Sequence, residues 1–251
     1  MSERLFAALG FTWDRSAVKR DLGVHTVERA IWRYQRALPE FVWDAAALEG
    51  NPFTYPEVQT LMDGITVGGR KLSDERQVAN LAEAARELVD VVKTGCFRLD
   101  KPTSDHFHYL IARDEALSPS PRKLTVTPGV GLGEHGRYLP PSTEPGGQNL
   151  REMFTRGIET PEAEVEDPFE QAIAYFLFAT LQQFYFDGNK RTGRSMMNGH
   201  LMAHGIDAIS VSALRRAEFN ATMVGFFRAK DATEAFAFLT SCHPDLVDGP
   251  S

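Results

Sequence analysis

The fold of this chain is decided by residues 183–194, which read Gln-Phe-Tyr-Phe-Asp-Gly-Asn-Lys-Arg-Thr-Gly-Arg. The apolar run before them, Pro168 to Tyr185, predicts a buried helix that Asp187-Gly188 breaks. A second helix is predicted from Asn189 to about His204, with Gly205 as its cap. A short turn therefore leads into a helix N-terminus, where free N–H groups and the positive end of the helix dipole attract anions.

Three cations share one face at the start of the second predicted helix. Lys190 and Arg194 are four residues apart, and Arg191 and Arg194 are three apart. Like charges at these spacings destabilise a helix by about 0.2–0.5 kcal/mol per pair, and cations at a helix N-terminus oppose its dipole. A bound polyanion best explains this unfavourable arrangement of three cations, and a solvated basic turn is the alternative. Asp187 is an oxygen ligand placed to hold Mg²⁺ against phosphates, and Gly188 lets the backbone approach a ligand closely.

This stretch resembles the signature of the Fic family (the Fido fold), H-x-F-x-[DE]-G-N-[GK]-R-x-x-R. The matching positions are Asp187, Gly188, Asn189, Lys190, Arg191 and Arg194. Two positions differ, because Gln183 stands where the family has its catalytic His and Tyr185 replaces Phe. The resemblance covers roughly residues 41–240. It implies a mainly α fold, with a helical Fic core and a short β-hairpin flap.

The resemblance also implies an activity, the transfer of AMP from ATP to a Ser, Thr or Tyr hydroxyl of a protein target. It implies ATP and Mg²⁺ as cofactors, with Asp187 as the metal ligand. Residues 188–190 would cradle the α- and β-phosphates through backbone donors and the Asn189 amide, and Arg191 and Arg194 would bind the outer phosphates. Such transfer depends mainly on positioning and on charge neutralisation, which these residues can supply.

The residue at the position of the catalytic base leaves two interpretations open. The family's His accepts a proton from the attacking hydroxyl, whereas the Gln183 amide has no protonatable site near neutral pH. Losing a general base typically costs ~10²–10⁴ in rate. The chain is then either a slow AMP transferase or a catalytically inactive nucleotide-binding pseudoenzyme with a regulatory or binding role. A third class, a module that binds no nucleotide, is hardest to reconcile with the crowded cations.

Residues 41–51 predict a short helix, favoured by alanine and ended by Gly50. Glu49 falls in its last turn, where the dipole disfavours a carboxylate, so it is either a surface residue or the partner of a cation elsewhere. The segment resembles the inhibitory helix of Fic proteins, [ST]-x-x-x-E-[GN], with Ala45 in place of the hydroxyl residue. The resemblance implies that Glu49 pairs with Arg194 and keeps the γ-phosphate from its productive pose, so that the chain inhibits itself.

Residues 117–149 are rich in Pro and Gly, and two β-prone runs, 123–127 and 136–139, predict a hairpin or flap. Residues 131–136 satisfy G-x-G-x-x-G. A dinucleotide site needs a strand before this motif and a helix after it, and Pro140-Pro141 follow instead. The Fic resemblance implies that the flap aligns an extended target segment by strand addition; an ordinary surface loop is the alternative.

The chain is divided on this basis into four parts. We expect an N-terminal helical extension at 1–40, an inhibitory-like helix with its connector at 41–72, a Fic-like core at 73–245 and a tail at 246–251. Capping boxes, apolar residues at helical spacing, and Gly or Pro residues at the helix ends predict further helices. They cover residues 54–63, 73–95, 104–113, 149–157, 212–227 and 231–242. An acidic connector is predicted at 159–167.

Composition limits the classes of function. The 251 residues carry a net charge of −7, which argues against a dedicated nucleic-acid binder. Cys96 and Cys242 provide no disulfide framework, and no secretory signal pattern opens the sequence. The longest apolar stretch, 172–181, is too short to cross a bilayer. We therefore expect a cytoplasmic protein that uses neither nucleic acid nor membrane as a partner; a homo-oligomer stays open.

Two histidine pairs are better explained by structure than by chemistry. His200 and His204 are four residues apart, a spacing that metal sites use, but no H-E-x-x-H glutamate or evident third ligand accompanies them. His106 and His108 are two residues apart and cannot share a helical face. We expect structural positions for all four.

Overall fold

The computed structural model describes residues 2–18, 22–116, 121–122 and 129–247. Within these residues the chain forms twelve α-helices and one two-stranded antiparallel sheet. The predicted fold class, a mainly α protein with a short β-hairpin, is confirmed. Among the helices of the described part, none is both long and apolar enough to cross a membrane.

The strands are β1 (Val130–Gly131) and β2 (Arg137–Tyr138). The helices are, in chain order, α1 (Glu3–Leu9), α2 (Val27–Arg36), α3 (Leu38–Leu48), α4 (Tyr55–Met62), α5 (Leu72–Lys93), α6 (Lys101–Ala112), α7 (Gln148–Glu164), α8 (Pro168–Gln182), α9 (Asn189–Ala203), α10 (Arg216–Ala229), α11 (Thr233–Thr240) and α12 (Pro244–Val247).

The centre of the molecule is formed by α8 and α9, the helices on either side of the signature loop. The continuous apolar sequence of α8 leaves nearly all of its side chains buried. α9 packs against α8 and also against α5 and α6. Gly193 permits the close approach, since a Cβ there would lie 3.1 Å from Phe176 Cδ2. Burying one large apolar side chain contributes about 1.5–3 kcal/mol, so this helix pair is the main anchor of the fold.

The N-terminal residues belong to the same core. The indole of Trp13 stacks on Phe236, with ring centroids 5.1 Å apart, and donates to Glu170 Oε1 at 2.7 Å. The boundary predicted at residue 40 falls inside α3, which packs against α5 as one uninterrupted helix. The division of the chain into parts stays a prediction, and α3 carries Glu49 as its C-cap residue.

The predicted acidic connector at 159–167 is wrong, because α7 continues through Pro161 to Glu164. The buried residues of α7 are Leu150, Phe154, Gly157 and Pro161. Their spacing of three or four residues places them on one helix face, so packing outweighs the hydrogen bond that Pro161 cannot donate. The sequence analysis gave too much weight to the proline and to the surrounding charges.

The flap is a short hairpin. β1 pairs antiparallel with β2, Val130 opposite Tyr138 and Gly131 opposite Arg137, and residues 133–135 form a 3₁₀ turn between them. The strand predicted at 136–139 is therefore present. Its partner in the structure, β1, lies within residues 128–135, which were expected to connect the two predicted strands. The other predicted strand, 123–127, lies outside the described residues. The G-x-G-x-x-G run, residues 131–136, forms the turn of this hairpin and leads into β2.

Candidate active site

The first helix of the signature ends earlier than predicted, at Gln182 instead of Tyr185. Gln183 has φ 50° and ψ 60°, in the left-handed region. A left-handed residue cannot continue a right-handed helix, so residues 184–188 form a loop before α9 begins at Asn189. The start of the second helix is as predicted.

Arg122, which the sequence analysis did not single out, holds the end of α8. Its side chain is fully buried. Nε donates to Gln183 O at 2.5 Å and Nη2 donates to Gln182 O at 3.1 Å. A cation at a helix C-terminus is favourable, and although burial lowers the pKa of Arg122 to about 10, it stays charged at neutral pH. No local pattern marks this residue, because the helix-end carbonyls that it binds are 60 and 61 positions away in the chain.

The side chain of Asn189 closes the loop before α9. Its Oδ1 accepts from the Tyr185 N–H at 2.9 Å, and its Nδ2 donates to Tyr185 O at 2.8 Å and to Gln183 Oε1 at 3.0 Å. The amide expected to contact phosphate thus shapes the loop in this structure. The backbone N–H groups in the first turn of α9, which have no partner within the helix, are the donors that the loop presents.

The side chain of Gln183 points inward, and both ends of its amide are bonded. The residue is 8% exposed; Nε2 donates to Thr180 O at 2.6 Å, and Oε1 accepts from Asn189. A carboxamide can donate or accept a hydrogen bond but does not take up a proton near pH 7. At the position of the family's base, the structure therefore holds a fixed amide.

Glu49 contacts two of the three cations: Arg194, which the resemblance implied as its partner, and Lys190. Glu49 Oε1 lies 3.4 Å from Arg194 Nη2, and Glu49 Oε2 lies 3.4 Å from Lys190 Nζ. Burial alone would raise the pKa of Glu49. The charges of Lys190, Arg194 and Arg191 outweigh that effect and hold this pKa below its ordinary value. The carboxylate is therefore ionised at neutral pH and occupies the cationic face.

Arg194 is deeply buried, and Glu49 does not satisfy all of its hydrogen-bond donors. The residue is 6% exposed, and burial lowers the pKa of its guanidinium. Its Nε and Nη1 have no hydrogen-bond partner among the described residues. A buried cation with unsatisfied donors is costly, typically by about 1–3 kcal/mol or more per group. Such a residue in a surface-connected cationic cluster is typical of an anion-binding site.

Arg191 is paired with acidic residues on two sides. Its Nη1 lies 2.5 Å from Glu115 Oε1, and its Nη2 lies 3.6 Å from Asp187 Oδ1. Burial disfavours the charged form, but the hydrogen bond and charge of Glu115 outweigh it and raise the pKa of Arg191. Gln77 Nε2 also donates to Glu115, at 2.7 Å. The sequence analysis missed Glu115, which lies in a turn after α6 without a recognisable motif.

Asp187 and Gly188 form the turn that precedes α9. The Asp187 side chain is 61% exposed, and its Oδ1 accepts from the Gly188 N–H at 2.6 Å. Gly188 has φ 74°, and a Cβ there would lie 3.1 Å from Ala112 Cβ, so both the backbone conformation and the space require glycine. An exposed carboxylate on a fixed turn fits Mg²⁺, which takes one or two protein carboxylates and otherwise binds water and phosphate oxygens.

His108 supports the same turn from α6. Its ring is fully buried and stacks on Tyr185, with centroids 3.8 Å apart. Nε2 lies 3.0 Å from Asp187 O, a carbonyl that only accepts, so Nε2 carries the proton. Burial lowers the pKa of His108 to about 4. This histidine is neutral and structural, as predicted, and its buried ring is not placed to meet a target hydroxyl.

The other histidine pair is also structural. The rings of His200 and His204 lie 4.3 Å apart, and His200 Nε2 lies 3.0 Å from Gln171 Oε1. Burial lowers the pKa of His200 to about 3. In the described part of the chain, neither histidine belongs to a group of three candidate metal ligands.

A cavity of about 650 Å³ opens between the flap and α10. Residues 130–135 of the flap form one wall, Phe219, Met223 and Phe227 of α10 contribute apolar surface, and Lys190 reaches it from α9. Its volume is within the range of small-molecule sites, about 300–1,000 Å³. An apolar pocket joined through Lys190 to a cationic helix N-terminus suits a ligand with a flat ring at one end and phosphates at the other.

Comparison of the sequence with known proteins finds relatives that are named protein adenylyltransferases. No family model matches the chain. Over 192 residues, 73% of the chain, it is 24% identical to a Caenorhabditis briggsae protein named protein adenylyltransferase fic-1 and 25% identical to its C. elegans namesake. The chain covers only 35% of the length of these relatives.

Solved structures give the same result at the level of fold. A Fic domain containing signaling protein from Bacteroides thetaiotaomicron superposes with a TM-score of 0.70 at 16% identity, over 96% of this chain and 91% of that one. C. elegans Fic-1, residues 134–508, superposes with a TM-score of 0.64 at 18% identity, over 85% of this chain and 62% of that one. The chain therefore has the Fic fold, and the sequence matches support homology to Fic proteins.

Proposed function

We propose that the chain is a Fic-type AMP transferase that modifies a hydroxyl of a protein target, is inhibited by its own Glu49, and works slowly because Gln183 replaces the base. The observation that carries the proposal is the contact of Glu49 with Lys190 and Arg194 at the N-terminus of α9. One carboxylate contacts two of the three clustered cations there, and a triphosphate could contact all three. The names of the relatives, protein adenylyltransferases, support the same activity.

The residues present fit ATP with Mg²⁺. Asp187 would hold the metal, which when bound neutralises charge on the phosphate oxygens. The N–H groups of residues 189–191, which have no partner within the helix, would bind the α- and β-phosphates, and Arg191 and Arg194 the outer ones. Arg194 has two nitrogens without hydrogen-bond partners among the described residues, so phosphate oxygens would satisfy donors that Glu49 leaves unsatisfied. The apolar cavity beside Lys190 would take the adenine.

In the proposed reaction the target hydroxyl oxygen attacks the α-phosphorus. The bond from that phosphorus to the oxygen shared with the β-phosphate breaks, pyrophosphate leaves, and the hydroxyl proton must go to an acceptor. Gln183 cannot accept it, so the proton passes to solvent or phosphate and the rate falls by ~10²–10⁴. A loose transition state makes this loss tolerable, because it depends more on positioning and charge than on the base.

The partner in this proposal is a protein segment in extended conformation. A hydroxyl side chain of this segment has to reach the loop between α8 and α9. The flap is close enough to guide it, because flap residues line the same cavity as Lys190. Strand addition along the hairpin would hold the segment by its backbone and leave its side chains free to enter the site. Strand addition would hold both a partner that is modified and a partner that is only bound.

The second candidate is a pseudoenzyme that binds nucleotide and a partner without turnover. The observation that favours it is the inward orientation of Gln183, whose Nε2 and Oε1 are already bonded to Thr180 and Asn189. An amide used in this way stabilises the loop and does not contact a hydroxyl. Both candidates share the nucleotide site, and they differ only in whether the bond to the α-phosphorus is broken.

Transfer of label from ATP labelled at the α-phosphate, with Mg²⁺ and with self-labelling as readout, separates the candidates. The chains compared are the parent, Glu49→Gly, Gln183→His and the double variant. Label in Glu49→Gly, raised further by Gln183→His, supports a slow transferase. Label only in the double variant supports the pseudoenzyme. Absence of label in all four chains, together with no ATP affinity for Glu49→Gly in calorimetry, would reject both.

A further inference from the structure

A second cluster of potential ligands lies where the segment before α2 meets α12 and the residues that follow α9. His25 precedes α2, Asp207 follows α9, and Asp245 lies in α12. Each offers one donor atom, and these donor atoms all lie within 4.8 Å of one another. None of the three belongs to the candidate active site, and the proposed reaction does not use them.

Arg33 orients the two carboxylates of this cluster. Its Nη1 donates to Asp207 Oδ2 at 2.7 Å and lies 3.3 Å from Asp245 Oδ1. One oxygen of each carboxylate is engaged in this way, so the second oxygens, Asp207 Oδ1 and Asp245 Oδ2, are not part of these contacts. An arginine that fixes one oxygen of a ligating carboxylate is a common outer-shell arrangement around metal ions.

The second oxygen of Asp207 requires an explanation. The residue is 1% exposed, and its Oδ1 has no hydrogen-bond partner among the described residues. Leaving a buried charged acceptor unsatisfied is among the more costly defects in a folded protein. A cation at this oxygen would remove the defect, and the structure brings two further donors to the same place.

The imidazole of His25 supplies one of these donors. Its Nε2 is buried and has no hydrogen-bond partner among the described residues, while its backbone N–H is anchored to Gly205 O at 2.7 Å. A Cβ built on Gly23 would lie 3.0 Å from His25 Nε2 and 3.5 Å from Asp245 Oδ2. Both atoms therefore face the same small space, which glycine leaves open.

A second histidine lies beside the cluster. His243 is fully buried, its Nδ1 lies 3.9 Å from Asp245 Oδ2, and its Nε2 has no hydrogen-bond partner in the described part of the chain. Two imidazoles and two carboxylates at one place form a donor set of nitrogen and oxygen.

We propose that His25, Asp207 and Asp245 bind a zinc ion that ties the N-terminal segment to the C-terminal helix α12. Imidazole nitrogen with carboxylate oxygen favours Zn²⁺ over Mg²⁺ or Ca²⁺, which prefer oxygen ligands alone. Tetrahedral ligands about 2.0–2.2 Å from zinc lie roughly 3.4 Å apart, so donor atoms that lie within 4.8 Å of one another have to approach by up to about 1.4 Å. His25 in a loop and Asp245 in a four-residue helix can make this movement.

Zinc stoichiometry tests the proposal on the full chain with any affinity tag removed. The protein is treated with a chelator, exchanged into buffer, titrated with Zn²⁺ in a calorimeter, and analysed for bound metal after gel filtration. We expect one Zn²⁺ per chain. At a free concentration of about 100 times Kd, zinc should raise the Tm by roughly 5–10 °C. Co²⁺ in its place should give the intense visible absorption of a tetrahedral site.

The variants His25→Gln and Asp245→Asn should each abolish the stoichiometric binding and the shift in Tm. Both residues are at least partly exposed, so the apo proteins are expected to fold. His106→Gln, which removes an exposed histidine of α6, is the matched control and should bind zinc as the parent does. Absence of stoichiometric zinc in the parent, or zinc binding by His25→Gln and Asp245→Asn that equals that of the parent, would overturn the proposal.

Discussion

Glu49 and Arg194 lie 145 positions apart in the chain, yet the carboxylate Oε1 of one is 3.4 Å from Nη2 of the other. The contact joins the C-cap of α3 to the first turns of α9. Because Lys190 shares the same carboxylate, Glu49 ties down two of the three cations that the proposed nucleotide needs. The predictions below concern this contact and the residues that support it.

Replacing Glu49 with glycine should tighten ATP·Mg²⁺ binding. The carboxylate competes with phosphate for two cations at 3.4 Å, and removing about 1–2 kcal/mol of competing attraction lowers Kd by roughly 5- to 30-fold. Isothermal titration calorimetry of parent and variant measures the difference. Glu40→Gly is the matched control, since it removes an exposed carboxylate from the same helix. An unchanged Kd for Glu49→Gly would contradict the inhibitory role.

Replacing Arg194 with alanine should weaken ATP binding by at least tenfold in the Glu49→Gly background. The variant removes a buried guanidinium whose Nε and Nη1 have no hydrogen-bond partners among the described residues. Charge-assisted hydrogen bonds of this kind contribute about 1.5–3 kcal/mol each. Arg216→Ala serves as control, because Arg216 also contacts α3, through Ala47 O at 3.2 Å, but lies on α10. Equal affinity of both variants would exclude Arg194 from the site.

Replacing Glu115 with glutamine should destabilise the fold by about 2–4 kcal/mol, since Arg191 is then left as a buried cation without its main partner. Urea unfolding followed by circular dichroism measures this change. Glu83→Gln is the comparison, because Glu83 pairs with Arg113 at a more exposed position. An exposed pair contributes at most about 1 kcal/mol. Similar losses for both variants would show that Arg191 does not depend on Glu115.

The stability of the protein should fall as pH falls from about 6.5 toward 4, in part because of His108. The pKa of this buried histidine is lowered from 6.5 to about 4, so between these values the unfolded chain binds the proton and the folded chain does not. Stability therefore rises with pH in this window, by as much as roughly 3 kcal/mol for this residue.

The variant His108→Gln should flatten that pH dependence while it keeps an amide donor near Asp187 O. Unfolding free energies measured by urea titration at pH 4.5, 5.5 and 7 give the slope. His106→Gln, on the same helix but about half exposed, should retain the slope of the parent. A slope unaffected by His108→Gln would assign the pH dependence to other buried histidines such as His200, whose pKa is lowered to about 3.

Local patterns were sufficient for most of the helices. The apolar run of α8, the Gly188 turn and the start of α9 at Asn189 were all predictable, because helix period and turn chemistry depend on neighbours a few residues apart. The end of α8 was not, since it depends on Arg122, which binds the last carbonyls of the helix from about 60 residues away. The continuation of α7 past Pro161 likewise depends on packing against other elements.

The sequence by itself determined which groups the loop carries: an acidic turn, a glycine that lets the backbone approach a ligand closely, and three cations at a helix N-terminus. Only the tertiary structure decided what those groups contact. Glu115 on Arg191, Arg122 under Gln183 and the inward bonds of the Gln183 amide join segments with no sequence relationship to one another. The physical reason is that side-chain type and spacing act locally, whereas the partners of a buried charge are set by how the helices pack.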